Sequence, residues 1–206
     1  MKNAVLYHCA DYGFECSEYE KYLPPERLER YRRLKPLKEK QNCLGAYLLL
    51  RYALKANGIN EFELARTENG KPYIVGSPLF FNLSHTACGF VCAVDSHEIG
   101  ADIEKLHSAD NSLLRRVCSS EEIEMIAASP DPCRIFTTIW TLKESAIKMN
   151  AGTLMQYSKY SFKNISDDFY SDSNHFVSFH NESSVISVCG KFETAEYRQV
   201  QFNELL

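Results

Sequence analysis

Two acidic residues near the middle of the chain are spaced so that they could bind a metal ion. Asp102 and Glu104 lie in an expected strand, and Ala101 and Ile103 alternate with them. Since side chains two apart in a strand point to the same face, the carboxylates project together while Ala101 and Ile103 face the core. The carboxylates repel each other unless a cation lies between them, and Mg²⁺ prefers such oxygen ligands. In isolation, such a pair more often consists of two solvated acids at an exposed strand end.

A second candidate group lies on one face of a predicted helix in the second half of the chain. Glu144 and Lys148 are four residues apart, so their side chains share a face, and Trp140 lies on nearly the same stripe. Taken alone, Glu144 and Lys148 are typical of an exposed helical ion pair, which contributes only about 0.3–0.5 kcal/mol. A tryptophan such as Trp140 is more often a core residue than a ligand.

Two polar segments in the first half could contact a phosphate. Gly70 and Pro72 predict a tight turn that presents Lys71, and the run that contains Ser84 and His85 ends a predicted strand. The His85 ring could donate a hydrogen bond to a phosphate oxygen, or it could be satisfied within the protein. Each of these segments is a weak signal by itself.

The charge of the chain is concentrated in one short stretch. The whole chain carries −4, but residues 21–40, which we call the basic segment, carry +5 and the remainder carries −9. This distribution argues against a general nucleic-acid binder; a small polyanionic ligand, an acidic patch on a partner and a solvated helix face all remain compatible with it. The basic residues of the segment are Lys21, Arg27, Arg30, Arg32, Arg33, Lys35, Lys38 and Lys40.

Periodicity and turn signals predict the elements that position these groups. In the first half we expect a strand at 2–7, a helix that starts at Pro24 and Pro25, and a helix at 37–57 that Gly58 ends. In the second half, a capping box of Ser119 and Glu122 opens a short helix. The other expected elements are strands at 62–66, 72–75, 79–83, 90–94 and 99–103, a helix at 133–149, and strands at 157–162, 176–179, 185–189 and 194–202.

Helices followed by strands occur twice, which predicts an α+β protein of two similar halves in a pseudo-two-fold relation. The halves are expected at 1–106, with the Asp-x-Glu pair, and at 107–206, with the helix that carries Glu144. An active site is expected between them.

The eight cysteines lack zinc-site or Cys-x-x-Cys spacing and are expected to be reduced, small apolar residues. No apolar run approaches the roughly 18 residues of a membrane span, and the start lacks the apolar core of a signal peptide, so we expect a cytoplasmic protein.

The four motifs together resemble those of the 4′-phosphopantetheinyl transferases. They are the turn at 69–72, the strand end at 81–85, the acidic pair at 100–104 and the helix at 140–148. The chain is most similar to the larger two-halved type, such as the surfactin-synthetase-activating enzyme, over roughly residues 20–154. At residues 151–154 it departs from the family, because Ala-Gly-Thr-Leu stands where relatives often have Gly-x-Gly-Leu.

The resemblance implies transfer of 4′-phosphopantetheine from coenzyme A to a serine of an apo carrier protein, with release of 3′,5′-ADP. It implies that Asp102, Glu104 and Glu144 bind Mg²⁺, and that Glu144 takes the serine proton directly or through water. Lys148 would steady or protonate the leaving phosphate. The residues implied for coenzyme A are Lys71, Ser84 and His85 for its phosphates and, in the first half, Arg27, Arg30 and Arg33 for its 3′-phosphate.

The expected partner is an acidic acyl or peptidyl carrier protein of fatty-acid, polyketide or nonribosomal-peptide biosynthesis. We expect no nucleic-acid or membrane partner, and a monomer, since both halves are in one chain. Two other functions stay open: a non-catalytic relative that binds coenzyme A or a carrier, and a metal-dependent phosphohydrolase that uses the same carboxylates.

Overall fold

The computed structural model describes residues 3–10, 13–152 and 154–206, and the expected α+β class is confirmed. Among these residues the strands are β1 (Asn3–Cys9), β2 (Leu64–Arg66), β3 (Pro72–Ile74), β4 (Phe80–Thr86), β5 (Gly89–Asp95), β6 (Ile99–Lys105), β7 (Asp168–Ser171), β8 (Asn174–His180), β9 (Ser184–Gly190) and β10 (Thr194–Gln199). The α-helices are α1 (Pro25–Arg33), α2 (Leu37–Ala56), α3 (Asn111–Val117), α4 (Ser120–Ala128) and α5 (Pro132–Met149).

Two four-stranded sheets form the centre of the protein. The strand order is β10-β1-β5-β4 in the first sheet and β6-β9-β8-β7 in the second, and β2 pairs with β3 separately. β10 runs parallel to β1, whereas the other pairs are antiparallel. β4 and β6 are therefore edge strands of different sheets, and they pack closely against each other.

The alternation of side chains along the strands divides the core into layers. In β5, Phe90 packs beneath α2, whereas Val91 points into a second core between the two sheets. Ala101 and Ile103 of β6 join this core between the sheets, as the alternation predicts. Since α5 packs on β6 and β9, the order of layers is helix, sheet, sheet, helix, and the apolar surface of both sheets is removed from water.

Proline, glycine and a capping box in the sequence predict ends of α1, α2 and α4 that the structure confirms. The predicted helix at 37–57 is α2, and Gly58 follows it with a φ of +84°, which is a left-handed conformation that favours glycine. The predicted capping box of α4 is confirmed: the Ser119 hydroxyl accepts from the Glu122 N–H at 3.3 Å, and the Glu122 carboxylate accepts from the Ser119 N–H at 2.7 Å. Proline opens α1 and the glycine closes α2 because neither suits a helix interior.

A buried ion pair joins α4 to α5. The Lys143 ammonium donates to Glu122 Oε2 at 2.6 Å and to the Val117 carbonyl at 2.7 Å, and both charged side chains are fully buried. The second oxygen of Glu122 accepts from the Phe162 N–H at 2.9 Å. Because every one of these partners is buried, the loss of one charge would leave the other without compensation.

The predicted strand at 157–162 is wrong. The chain instead forms a short 3-10 helix at Leu154–Lys159, and the Tyr160 N–H donates to the Tyr157 carbonyl at 3.1 Å. Tyr157 and Tyr160 are three residues apart, which puts them on one side of a 3-10 turn, whereas a strand would place them on opposite faces.

The remaining differences concern short elements. The sequence pattern does not predict α3 or β7, and the predicted strand at 194–202 ends at Gln199, before another 3-10 turn at Phe202–Leu205. The predicted strand at 2–7 corresponds to β1, although Lys2 lies outside the described residues. In the described part of the chain, no helix is long and apolar enough to cross a bilayer.

Candidate active site

A cavity of about 680 Å³ lies where β4, β6 and α5 meet. Six of the residues that the motifs single out line it together: Ser84, His85, Asp102, Glu104, Glu144 and Lys148. The other lining residues are Leu83, Arg116, Trp140, Tyr157 and Ser158. Residues that are more than 60 positions apart in sequence thus meet in one concave, partly apolar site, which is the usual form of a small-molecule site.

Gly100 allows α5 to lie directly on β6. A Cβ atom at this position would lie 1.9 Å from the Ser145 carbonyl oxygen and 2.5 Å from the Met149 nitrogen, so any side chain would push the helix away. This close approach aligns Asp102 with Lys148 across the strand and the helix. The glycine of the Gly-x-Asp-x-Glu run is thus required by packing.

Asp102 is the most highly connected acid of the cavity. Its Oδ1 atom accepts from the Ser84 hydroxyl at 2.8 Å and from the Lys148 ammonium at 2.5 Å, and Lys148 also donates to Ser84 at 3.0 Å. Its Oδ2 atom is buried and has no hydrogen-bond partner among the described residues. The prediction that Asp102 and Glu104 share a face is confirmed, because both line the cavity.

The acids of the cavity repel one another. Burial, with the nearby negative charges of Asp102 and Glu144 as smaller causes, raises the pKa of Glu104 to about 7, although the Lys148 ammonium opposes the shift. Burial also raises the pKa of Glu144, and the hydrogen bond from the Tyr157 hydroxyl partly offsets this. The lining carries three carboxylates and two cations, the Lys148 ammonium and the Arg116 guanidinium, and a bound cation would relieve the remaining repulsion between the carboxylates.

The donor chemistry of the cavity fits a hard divalent cation. Three carboxylates, Asp102, Glu104 and Glu144, line one space, and the free Oδ2 atom of Asp102 is an oxygen ligand of the kind that Mg²⁺ prefers. Among the residues that the structure describes, no three acidic, histidine or cysteine side chains are already close enough to hold one ion. Binding would therefore require these side chains to draw together.

His85 lines the cavity and lies within electrostatic reach of the basic segment. Partial desolvation lowers the pKa of its ring and the positive charge of Lys148 lowers it further, whereas the Asp102 carboxylate acts in the opposite direction. Lys38, in the first turn of α2, acts on His85 in the same direction as Lys148, so one residue of the basic segment lies within electrostatic reach of the cavity.

Lys71 does not line the cavity. Gly70, with a φ of +83°, forms the predicted turn, but the Lys71 side chain is only 10% exposed and pairs with Glu98. Its ammonium donates to the Met149 carbonyl at 2.7 Å, at the C-terminus of α5, where a positive charge is favourable. The lysine thus joins the turn to the end of the helix that carries Glu144.

The three arginines of α1 that the resemblance implies for the 3′-phosphate, Arg27, Arg30 and Arg33, also lie outside the cavity lining. The Arg27 guanidinium stacks over the Tyr47 ring at 4.8 Å, and burial lowers its pKa. Arg30 is exposed, and Arg33 is exposed and paired with Glu29. Arg30 and Arg33 are accessible to a ligand, whereas Arg27 is partly occupied by its aromatic neighbour.

Three residues that line the cavity belong to none of the sequence motifs. Arg116 lies in the last turn of α3, and Tyr157 and Ser158 lie in the 3-10 helix after α5. The Tyr157 hydroxyl donates to Glu144 Oε1. Neither α3 nor this turn is apparent from sequence periodicity, so no local signal directs these side chains to the cavity.

Residues 151–154, where the chain departs from the Gly-x-Gly-Leu pattern of the family, follow α5. Ala151 has a φ of 50°, and Thr153 lies outside the described residues.

Comparisons with known proteins point to one family. A family model described as the 4′-phosphopantetheinyl transferase superfamily matches residues 98–199. A 4′-phosphopantetheinyl transferase of Bacillus subtilis is 36% identical over 129 residues, which are 60% of this chain and 58% of that protein. AcpT of Salmonella typhi is 39% identical over 100 residues, 46% of this chain and 52% of AcpT.

The transferase Sfp of Bacillus subtilis strain 168 is 29% identical over 140 residues, 65% of this chain and 62% of Sfp. The aligned chain spans about half to three-fifths of the length of these relatives. The matched segment at 98–199 contains both the acidic pair of β6 and the helix that carries Glu144 and Lys148. The comparisons confirm the resemblance drawn from the motifs: this chain is similar to the 4′-phosphopantetheinyl transferases, Sfp among them.

Proposed function

We propose that this protein transfers 4′-phosphopantetheine from coenzyme A to a serine of an apo carrier protein and releases 3′,5′-ADP. The observation that carries the proposal is the convergence of Asp102, Glu104, Glu144 and Lys148 on one cavity. Phosphoryl transfer depends chiefly on positioning and charge neutralisation, and this cavity offers carboxylates, an ammonium and polar groups within one small volume. The similarity to transferases named for this reaction supports the same conclusion.

In the reaction, the serine oxygen forms a bond to the phosphorus that bears pantetheine. The bond from that phosphorus to the bridging oxygen of the diphosphate breaks, and 3′,5′-ADP leaves with the electron pair. Glu144 takes the proton of the serine hydroxyl, directly or through water; burial raises the pKa of Glu144 and so increases its basicity. Lys148 turns from Asp102 toward the leaving phosphate and steadies the charge that develops there.

Asp102, Glu104 and Glu144 would hold the Mg²⁺ ion that such a reaction needs. When bound, the cation neutralises charge on the diphosphate. The support for this assignment is the convergence of three carboxylates on one cavity and the unpartnered Oδ2 atom of Asp102. Glu104 would be ionised by the approach of the cation, since a nearby positive charge lowers the pKa of a carboxyl group.

The coenzyme would extend from this centre toward the basic segment. Ser84 and His85 would contact its diphosphate, since both line the cavity. Arg30 and Arg33, with Arg27 beside them, would bind the 3′-phosphate, and the electrostatic effect of Lys38 on His85 supports a positive potential between the two places. The contacts of Lys71 favour an indirect part, in which it holds the end of α5 in place.

We also infer that the chain consists of two similar halves, 1–106 and 107–206, in a pseudo-two-fold relation with the site between them. A reciprocal exchange of strands supports this. β6 of the first half pairs with β9 of the second half, and β10 of the second half pairs with β1 of the first. The cavity takes residues from both halves, so neither half alone would hold the complete site. A single chain with both halves is expected to act as a monomer.

The test is to incubate the protein with coenzyme A, Mg²⁺ and a panel of apo carriers from fatty-acid, polyketide and nonribosomal-peptide systems. A gain of one phosphopantetheine on a carrier, seen in its intact mass, supports the proposal and names the preferred class. Coenzyme A binding without mass gain on any carrier would favour the non-catalytic relative. Release of 3′,5′-ADP without any carrier would favour the phosphohydrolase.

A further inference from the structure

The Tyr157 hydroxyl contacts Glu144, which is the member of the carboxylate set Asp102, Glu104 and Glu144 that lies on a helix. It donates a hydrogen bond to Glu144 Oε1, and the Tyr157 side chain is only 5% exposed. The bond joins the 3-10 turn at Leu154–Lys159 to the middle of α5, thirteen residues earlier in the chain. Tyr157 also lines the cavity, so its hydroxyl acts on Glu144 within the site.

Packing holds the Tyr157 ring in place independently of this bond. The ring lies 5.6 Å from the Trp140 ring, centroid to centroid, and Tyr157 forms a small buried cluster with Val117 and Ile147. Three separate elements, α3, α5 and the 3-10 turn, therefore fix the direction of the hydroxyl. A donor that is held by its ring can in turn hold a flexible glutamate in one rotamer.

The consequence for Glu144 is that its two oxygens are no longer equivalent. Oε1 is occupied by the tyrosine, and among the described residues no hydrogen bond to Oε2 is found. Oε2 is therefore the oxygen that is available to a cation shared with Asp102 and Glu104, or to the proton of an incoming hydroxyl. Without the tyrosine, the Glu144 side chain would sample several rotamers and lose conformational entropy whenever it bound a ligand.

We infer that Tyr157 is a positioning residue, which holds the Glu144 carboxylate by one oxygen so that the other faces the metal and the substrate. The inference rests on the proposed function for its kinetic consequences, but its metal-binding consequence can be measured without any transfer. Hydrogen bonds to a ligating carboxylate typically change metal affinity or activity by 10–100-fold.

The test compares Tyr157→Phe with Tyr160→Phe. Both variants remove one phenolic hydroxyl from the same segment and keep the ring, but Tyr160 contacts Asn150 and the Ala146 carbonyl and does not line the cavity. Binding of Mn²⁺ in the presence of coenzyme A is followed by electron paramagnetic resonance, with no carrier present. Tyr157→Phe is expected to weaken Mn²⁺ binding by roughly 10-fold, and Tyr160→Phe by less than about 2-fold.

Kinetics with a carrier provide the second measurement. Tyr157→Phe should lower kcat by roughly 10-fold and leave the KM for coenzyme A nearly unchanged, because Glu144 does not itself grip the coenzyme. In a Glu144→Gln background the same substitution should cause almost no further loss of Mn²⁺ affinity, since the two residues act as one unit. A merely structural role would lower the unfolding temperature and reduce Mn²⁺ affinity equally in both backgrounds.

Equal Mn²⁺ affinity in Tyr157→Phe and the parent protein would overturn the inference, as would the absence of any Mn²⁺ binding by the parent. Full additivity of Tyr157→Phe and Glu144→Gln would also overturn it, because the tyrosine would then act elsewhere. If the parent protein binds Mn²⁺ but modifies no carrier, the proposed function fails, and the comparison of Mn²⁺ affinities still decides the role of Tyr157.

Discussion

The Lys148 ammonium on α5 lies 2.5 Å from Asp102 Oδ1 on β6, and Ser84 of β4 donates to the same oxygen. A helix and the edge strands of two sheets are thus joined at one carboxylate. The ion pair of Lys148 with Asp102 is partly buried. The spacing of Glu144 and Lys148, taken in isolation, would instead suggest an exposed ion pair between those two residues. The Lys148 ammonium neutralises the charge of Asp102 when no cation is bound. When a cation neutralises Asp102 instead, the ammonium becomes available to a phosphate.

Lys148→Ala is expected to lower kcat by roughly 10- to 100-fold and to change the KM for coenzyme A by much less. An interaction that strengthens only as charge develops on the leaving phosphate appears in kcat, and a charge-assisted hydrogen bond is worth about 1.5–3 kcal/mol. Steady-state kinetics check this, with Lys159→Ala, an exposed lysine of the adjacent segment, as the control. A kcat within a few-fold of the parent value would show that Lys148 has no catalytic part.

Asp102→Asn is expected to abolish transfer chiefly through loss of metal. The substitution keeps the side-chain size but removes one of three negative charges, so Mg²⁺ affinity should fall by at least about 10-fold. Titration calorimetry with coenzyme A present measures this directly. The control is Glu124→Gln, which removes an exposed carboxylate of α4. Normal activity of Asp102→Asn at low Mg²⁺ would contradict the assignment.

Arg30→Ala and Arg33→Ala are each expected to raise the KM for coenzyme A by roughly 10-fold, since each removes a charge-assisted bond to the 3′-phosphate. The control substrate is 3′-dephospho-coenzyme A, whose KM should hardly change in the same variants. Arg27→Ala should behave differently in one respect, because its guanidinium also stacks on Tyr47, so some stability should be lost as well. Equal losses with both donors and a raised KM for the carrier would instead assign these arginines to carrier docking.

Lys143→Met is expected to lower the free energy of unfolding by about 3–5 kcal/mol, because it leaves the Glu122 charge uncompensated in the interior. Denaturant unfolding of the parent and the variant measures the difference. The matched control is Glu29→Gln, which breaks the exposed pair with Arg33 and should change stability by less than about 1 kcal/mol. The double variant Lys143→Met with Glu122→Gln removes the uncompensated charge and keeps an acceptor oxygen, so it should recover part of the loss; no recovery would show that the uncompensated charge is not the cause.

Period and spacing predict the parts of the site that lie within one element. Asp102 and Glu104 face the cavity because a strand alternates, and Glu144 and Lys148 share it because a helix repeats after about four residues. The helix ends are also local, since proline, glycine and the Ser119 capping box act within a few residues. These features need no knowledge of the tertiary structure.

The rest of the site depends on contacts between distant segments. The Lys71 ammonium is withdrawn from solvent by the Met149 carbonyl, 78 residues away, and no pattern around the turn indicates this. Tyr157 lies in a segment whose apolar residues suggest a strand, and its true conformation is set by packing against Trp140 and by the bond to Glu144. Tertiary contacts of this kind override local preference.

The most direct test of the central claim is the ratio of two products in one reaction. The protein is incubated with coenzyme A, Mg²⁺ and the preferred apo carrier, and both 3′,5′-ADP and the intact mass of the carrier are followed over time. We expect one 3′,5′-ADP for each carrier that gains a phosphopantetheine, neither product with a carrier whose acceptor serine is replaced by alanine, and neither with the Glu144→Gln protein. Formation of 3′,5′-ADP without carrier modification, or modification that persists in Glu144→Gln at the parent rate, would contradict transfer at this cavity.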